Sequence, residues 1–216
     1  MRRVSFDPDV YARIRPGSQR SAAVVVPEVQ RIVQARSVVD VGGGEGWWAA
    51  QFAVLGARAV CIDDGSATEL ADRVEHVRHD VGTGLPTNLG SFDLALCLEV
   101  LEHLDRDAGD RLVGLLCQVA PNVLFSAAVP GQGGHGHLNE QWPAYWVEQF
   151  RDHGFDCSGA LRWSLWDNES VEYWYRQNLL FATRTPERYP ALFETPLAEP
   201  WSVVHPQTLA RALPPT

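Results

Sequence analysis

Apolar residues come along this chain in short runs separated by longer amphipathic stretches, and that alternation is the first clue to its fold. Val38, Val39 and Val41 enclose Asp40 in a β-branched run, the composition of a pleated, covered strand. Arg58 to Ile62, Val74 to Val81, Phe92 to Leu98 and Val123 to Val129 read as further strands, several of them apolar almost without interruption. Such runs belong to a sheet covered on both faces, which implies parallel pairing with helical crossovers. Trp47 to Leu55, Asp107 to Ala120 and Pro143 to His153 read as helices. The last of these opens on a proline in its first turn and closes at Gly154. Ala67 to Arg73 reads as a short crossover helix. Near the N-terminus, Ser5 to Arg20 is polar and broken by Tyr11, Pro16 and Gly17. An amphipathic stretch then runs from Gly17 to about Ala35, with Ser18 or Ser21 as its cap and a kink or restart at Pro27. Phe155 to Trp166 and Gln177 to Arg184 read as two closing strands joined by a polar connection.

Strand and helix alternate as far as residue 154, and two strands close in sequence follow. The pattern predicts an α/β domain whose mostly parallel sheet has one antiparallel strand at its end. The expected division is a helical cover segment over 1–36, the domain proper over 37–184, and a proline-rich, irregular surface tail over 185–216.

Composition narrows the class. With 216 residues, 45% of them hydrophobic, the chain suits one soluble domain with a sizeable core. No run approaches the roughly eighteen apolar residues of a membrane span, and Met1-Arg2-Arg3 leads into Asp7 and Asp9 rather than an apolar signal core. A cytoplasmic protein with no membrane partner is expected. Cys61 and Cys97 fall in predicted strands and Cys117 in a helix, so they read as small apolar residues of a reducing compartment. The formal charge is -9 and no residue is lysine, which opposes a nucleic-acid footprint and favours small, neutral or cationic substrates.

Chemistry begins at Asp40-Val-Gly42-Gly-Gly44-Glu-Gly46, a glycine turn between a strand and a helix. Glycine is needed where the backbone takes positive φ and a ligand approaches within contact. The dinucleotide pattern GxGxxG would place its third glycine at 47, which is Trp47, and a phosphate-binding P-loop would need a lysine. An acid about twenty residues past such a turn, ending the next strand, can accept both hydroxyls of a ribose. Asp63 holds that place, with Asp64 beside it as a turn residue.

Asp40 with Gly42, Gly44 and Gly46 resembles motif I of the class I S-adenosylmethionine-dependent methyltransferases. The resemblance implies a Rossmann-like fold with a seven-stranded sheet in the order 3-2-1-4-5-7-6 and S-adenosylmethionine as cofactor. It implies Asp63 on the ribose and Asp80 on the adenine amino group, with Glu99 counted beside them. It also implies that the N-terminal segment lies over the cofactor mouth, although a helix that merely covers a sheet edge reads the same way.

Glu99, Glu102 and His103 are spaced i, i+3, i+4, so a helical turn there would put two carboxylates and an imidazole on one face. His135 and His137 stand in the glycine-rich loop from Pro130 to Glu140, after the neighbouring strand. This Glu-x-x-Glu-His pattern with a later histidine is similar to that of small-RNA 2'-O-methyltransferases and ubiquinone-pathway O-methyltransferases, in which a divalent ion holds vicinal hydroxyls. The likeness implies Glu99, Glu102, His103 and His137 as ligands of magnesium, manganese or zinc. Without an ion, His137, His135 or His103 becomes the general base. Aromatic residues gather after position 140, and some are expected to wall a substrate pocket.

The chain shows no Asp/Asn-Pro-Pro-aromatic motif and no Pro-Cys nucleophile motif, so the DNA amino- and cytosine-methyltransferase readings lack their main residues. The expected activity is O-methylation of a sugar or another hydroxylated small metabolite, by a chain that could form a homodimer. The alternatives are N-, C- or carboxyl methylation, or a non-methylating homologue such as a partner subunit, cyclase or decarboxylase.

Overall fold

The computed structural model describes residues 8–196, 198–199 and 202–212. Met1 to Asp7, used above for the signal argument, and residues 213–216 of the tail lie outside the described residues.

Helix α1 (Pro8–Val33) opens the chain as one 26-residue helix with Pro16 and Pro27 inside it, so the expected break at Pro16-Gly17 is absent. Proline removes an interior hydrogen bond. Burial of Val10 and Tyr11 before Pro16, and of Ala22, Val25, Val26 and Val29 after it, holds both parts in line. Then follow β1 (Ser37–Val41), α2 (Trp47–Val54), β2 (Arg58–Asp63), β3 (Glu75–Arg78) and β4 (Leu94–Leu98). The second half runs α3 (Arg106–Val119), β5 (Asn122–Ser126), α4 (Pro143–Asp152), β6 (Asp156–Ser158), α5 (Ala160–Leu165), α6 (Tyr173–Asn178), β7 (Leu180–Thr183), α7 (Pro190–Phe193) and α8 (Pro206–Ala212).

The seven strands lie in the order β3-β2-β1-β4-β5-β7-β6. All neighbours pair parallel except β7, which runs antiparallel to both β5 and β6. Alternate residues of β1 feed opposite layers. Val39 and Val41 join the core with Leu112, Leu116, Trp146 and Phe150. Val38 joins the other core with Val25, Phe52, Leu161 and Phe181. Because β1 and β4 are neighbours from which the order runs outward both ways, a crevice opens at their carboxyl ends.

Four expected features take a different form. Residues 65–74 form bends and turns rather than a helix, because the Ala71 amide bonds to the Glu45 carbonyl and Arg73 takes φ 67°. Strand character after Phe155 stops at Ser158. Leu161 and Leu165, four apart and both buried, put one face of α5 into the core. Gln177 and Asn178 end a helix, α6, instead of starting the last strand. The tail is helical in part, through α7 and α8.

Candidate active site

The turn after β1 has left-handed backbone at Gly42 (φ 74°), Gly44 (57°) and Gly46 (82°), the last at the N-terminus of α2. A Cβ on Gly44 would stand 2.7 Å from the Tyr11 ring of α1, so the turn has α1 directly above it. Arg15 of α1 forks onto buried Glu45, with Nε 2.9 Å from Oε2, and also reaches Glu69. Trp47 Nε1 donates to the same Glu45 carboxylate at 2.8 Å. Helix α1 thus roofs the turn and is fixed to it by a buried charge.

Asp63, at the end of β2, accepts the Gly44 amide at 3.0 Å on Oδ2 and faces the Tyr11 hydroxyl at 3.4 Å. Burial raises its pKa, while the Gly44 amide opposes that shift. Asp64 accepts the Ser66 amide at 2.8 Å, the part of a turn former. Asp80 accepts the Gly82 amide at 3.0 Å and caps the short turn Val81–Thr83, so one of its oxygens serves the loop. Asp40 sits beneath the turn, where a Cβ on Gly43 would lie 2.5 Å from its Oδ2. Its part is to shape the loop from below.

At the end of β4 the chain does not enter a helix. Glu99 itself takes φ 56°, and only Leu101–His103 form a turn of 3₁₀ helix. Glu99 is therefore swung off the face shared by Glu102 and His103. Both of its oxygens are engaged, Oε2 by Gln132 Nε2 and Oε1 by Asn178 Nδ2, each at 3.0 Å. Glu102, His103 and His137 do come together, with one ligand atom from each lying within 4.8 Å of the others. Glu99 is not one of the three.

Glu102 is fully buried; Oε1 accepts the Ala128 amide at 3.2 Å, and Oε2 has no hydrogen-bond partner. Burial, with the Glu99 charge beside it, holds its carboxyl well above the usual range. Burial and the neighbouring His137 push His103 down to about 4, leaving it a neutral donor. His137 Nδ1 lies 2.8 Å from Glu140 Oε1. Burial works against the Glu140 charge, but hydrogen bonds from His137 and the amides of Gly131 and Gly133 keep that carboxyl below its ordinary value. His135 is exposed on the same loop and stands outside the trio. An orphaned carboxylate oxygen between two imidazoles fits a small divalent cation.

Both halves open into one cavity of about 700 Å³, lined by Tyr11, Gly42 to Gly44, Asp63, Asp80, Glu99, Glu102, His103 and His137. Tyr173 and Trp174 of α6 wall it, and Arg211 of α8 reaches it from the tail. Several of these contributors have no counterpart among the residues singled out in the sequence. Buried Gln177 donates to Gln132 (3.1 Å) and Asn178 (2.9 Å), the two residues that hold Glu99. Its carbonyl oxygen accepts the His205 amide (2.7 Å) and the Thr208 hydroxyl (2.8 Å) of the tail. Tyr173 and Trp174 belong to the aromatic cluster expected to wall a pocket, and Glu140 had a local signal, a carboxylate three residues after His137; Gln132, Gln177, Asn178 and Arg211 had none.

The chain is similar to known proteins in family and fold. A family model described as a methyltransferase domain matches residues 11–168. The ubiquinone biosynthesis O-methyltransferase, mitochondrial, of Schizosaccharomyces pombe is 33% identical over 100 residues. That match spans 40% of this chain and only 35% of the relative, about a third of its length. Among solved structures, magnesium protoporphyrin IX methyltransferase from Synechocystis PCC 6803 with bound SAH superposes with a TM-score of 0.59 at 20% identity, over 85% of this chain and 90% of that one. An O-methyltransferase family protein from Burkholderia thailandensis gives 0.58 at 15% identity, over 82% and 58%. At such identities these two likenesses concern the fold. With the family match over most of its length, the chain belongs to the class I S-adenosylmethionine-dependent methyltransferases.

Proposed function

We propose that this methyltransferase acts on a hydroxyl oxygen of a small polyhydroxylated molecule, seated against Glu102, His103 and His137. The observation that carries the reading is the convergence of those three donor atoms within 4.8 Å, in the cavity that also contains the glycine turn. The name of the Schizosaccharomyces pombe relative supports oxygen as the atom methylated.

S-adenosylmethionine supplies a methyl group already activated on sulfonium, so the protein's tasks are alignment, exclusion of water and handling of the acceptor proton. The turn at 42–46 and Asp63 seat the cofactor, with Asp63 toward the ribose and Asp80 toward the adenine. Glu102, His103 and His137 would hold a magnesium, manganese or zinc ion, which would polarise the acceptor hydroxyl and ease its ionisation. Glu140 orients the His137 ring through Nδ1, which leaves Nε2 to bind a cation or take the proton directly. Tyr173 and Trp174 supply rigid apolar wall against water. The buried, free thiols of Cys61, Cys97 and Cys117 support a reducing compartment such as the cytoplasm.

The test is turnover on catechol and sugar acceptors, with the product identified by mass. A gain of one methylene on oxygen is expected, and an isomer or loss of carbon dioxide sinks the reading. Rigorous chelation should lower kcat by about a hundredfold, restored by magnesium, manganese or zinc. Unchanged turnover after chelation removes the ion and leaves His137 as base; His137→Ala should then lose about a hundredfold in kcat.

A further inference from the structure

Helix α8 is a fixed part of the cavity wall. Beyond the two bonds to Gln177, Gln207 accepts Arg176 Nη2 at 2.6 Å, and the His205 ring lies 4.8 Å from that of Trp166. This anchoring presents Arg211 to the cavity. Its guanidinium stands 4.9 Å over the Tyr173 ring, and Nη1 donates to the Tyr173 hydroxyl at 3.3 Å. Among the described residues no carboxylate pairs with it. The other two arginines lining the cavity belong to α1, above the glycine turn, and Arg15 is already neutralised by Glu45 and Glu69. Tyr173 lines the same cavity as Glu102, His103 and His137. Burial raises its phenol pKa, Arg211 opposes this, and the Glu99 charge adds to the rise.

A cavity lined by Asp63, Asp80, Glu99 and Glu102 repels an anion except near a cation that no carboxylate pairs, and of the two such arginines lining it among the described residues Arg13 belongs to α1 over the glycine turn, whereas Arg211 stands beside Tyr173. A planar guanidinium with one face on an aromatic ring and spare N–H groups is built to take a carboxylate as a fork. We propose that Arg211 anchors a carboxylate of the methyl acceptor, so that the substrate is a hydroxylated carboxylic acid held with its hydroxyls at Glu102, His103 and His137. The assignment rests on the hydroxyl-acceptor reading above.

The test is calorimetric binding to the full chain loaded with S-adenosylhomocysteine and magnesium. The probes are 3,4-dihydroxybenzoate, 3,4-dihydroxybenzamide and benzoate. The dihydroxy acid should bind about tenfold more tightly than its amide. Arg211→Gln should abolish that preference by weakening the acid alone, Arg211→Lys should keep part of it, and S-adenosylhomocysteine should bind all three proteins equally. Equal binding of acid and amide, binding of neither, or a preference that survives in Arg211→Gln overturns the assignment. Weaker S-adenosylhomocysteine binding in Arg211→Gln also overturns it, because the anion held would then be the cofactor's own carboxylate. If benzoate binds as well as the dihydroxy acid and Arg211→Gln weakens both, Arg211 stands as the carboxylate anchor while the hydroxyl reading falls.

Discussion

Asp40 is 2% exposed, with one carboxylate oxygen lacking any hydrogen-bond partner. Burial raises its pKa to about 7, against the pull of the Ala49 amide and with a further push from Asp63. The native state therefore keeps a proton that the unfolded chain releases near pH 4. The stabilising contribution is complete below that pH and is lost as pH rises through 7. Asp40→Asn, which carries the same shape without the charge, should gain stability relative to wild type as pH climbs from 4 to 7. The difference should approach a value on the order of 4 kcal/mol, read from denaturant melts of the cofactor-free protein. A difference that stays flat with pH would show that Asp40 titrates normally. Residue identity alone could nominate Asp40 and Asp63, because both sit at strand ends beside a glycine turn. It could not show that Asp40 lies beneath the turn, whereas Asp63 grips it through Gly44.

At the scale of elements, the fixing of α1 over the glycine turn comes down to one buried charge. Glu45 is 3% exposed and receives bonds from Arg15 and from Trp47. Removing one member of a buried pair leaves the other charge without compensation and costs about 3–5 kcal/mol, whereas removing both costs much less. Arg15 is partly open to solvent, so Arg15→Ala is expected to lower stability by less than a fully buried pair would, with part of the loss recovered in Arg15→Ala/Glu45→Gln. Additive losses in the double variant would show that the two side chains do not act as a pair. Local rules also misread several elements, Pro16 and Glu99 among them. Proline at 16 suggested a break, but packing on both sides of it kept the helix whole. Glu99 at i, i+3, i+4 spacing suggested a shared helical face, but its own left-handed backbone removed it.

For the molecule as a whole, the proline-rich end is an integral part. The tail from His205 closes on Gln177, which bonds to Gln132 and Asn178, and these hold Glu99. A chain ending at Val204 leaves the Gln177 carbonyl without its two donors, a loss of about 1–3 kcal/mol. Its melting temperature should fall by roughly 2–12 °C. An unaltered melt would mean that the tail only rests on the surface. The alternation of strands and helices and the glycine turn were legible because periodicity and spacing along the chain carry them, whereas the strand order came from the resemblance to the methyltransferase family. The clamp from Arg15 to Glu45, the carboxamide relay and Arg211 join residues 30, 45 and 38 positions apart in sequence. By itself the sequence determined the alternating strands and helices and the glycine turn, since strands, turns and caps obey short-range rules. Tertiary structure alone decided which of four proposed ligands converge and what seals the acceptor end. Those depend on how distant side chains divide a limited set of hydrogen bonds once water has been excluded.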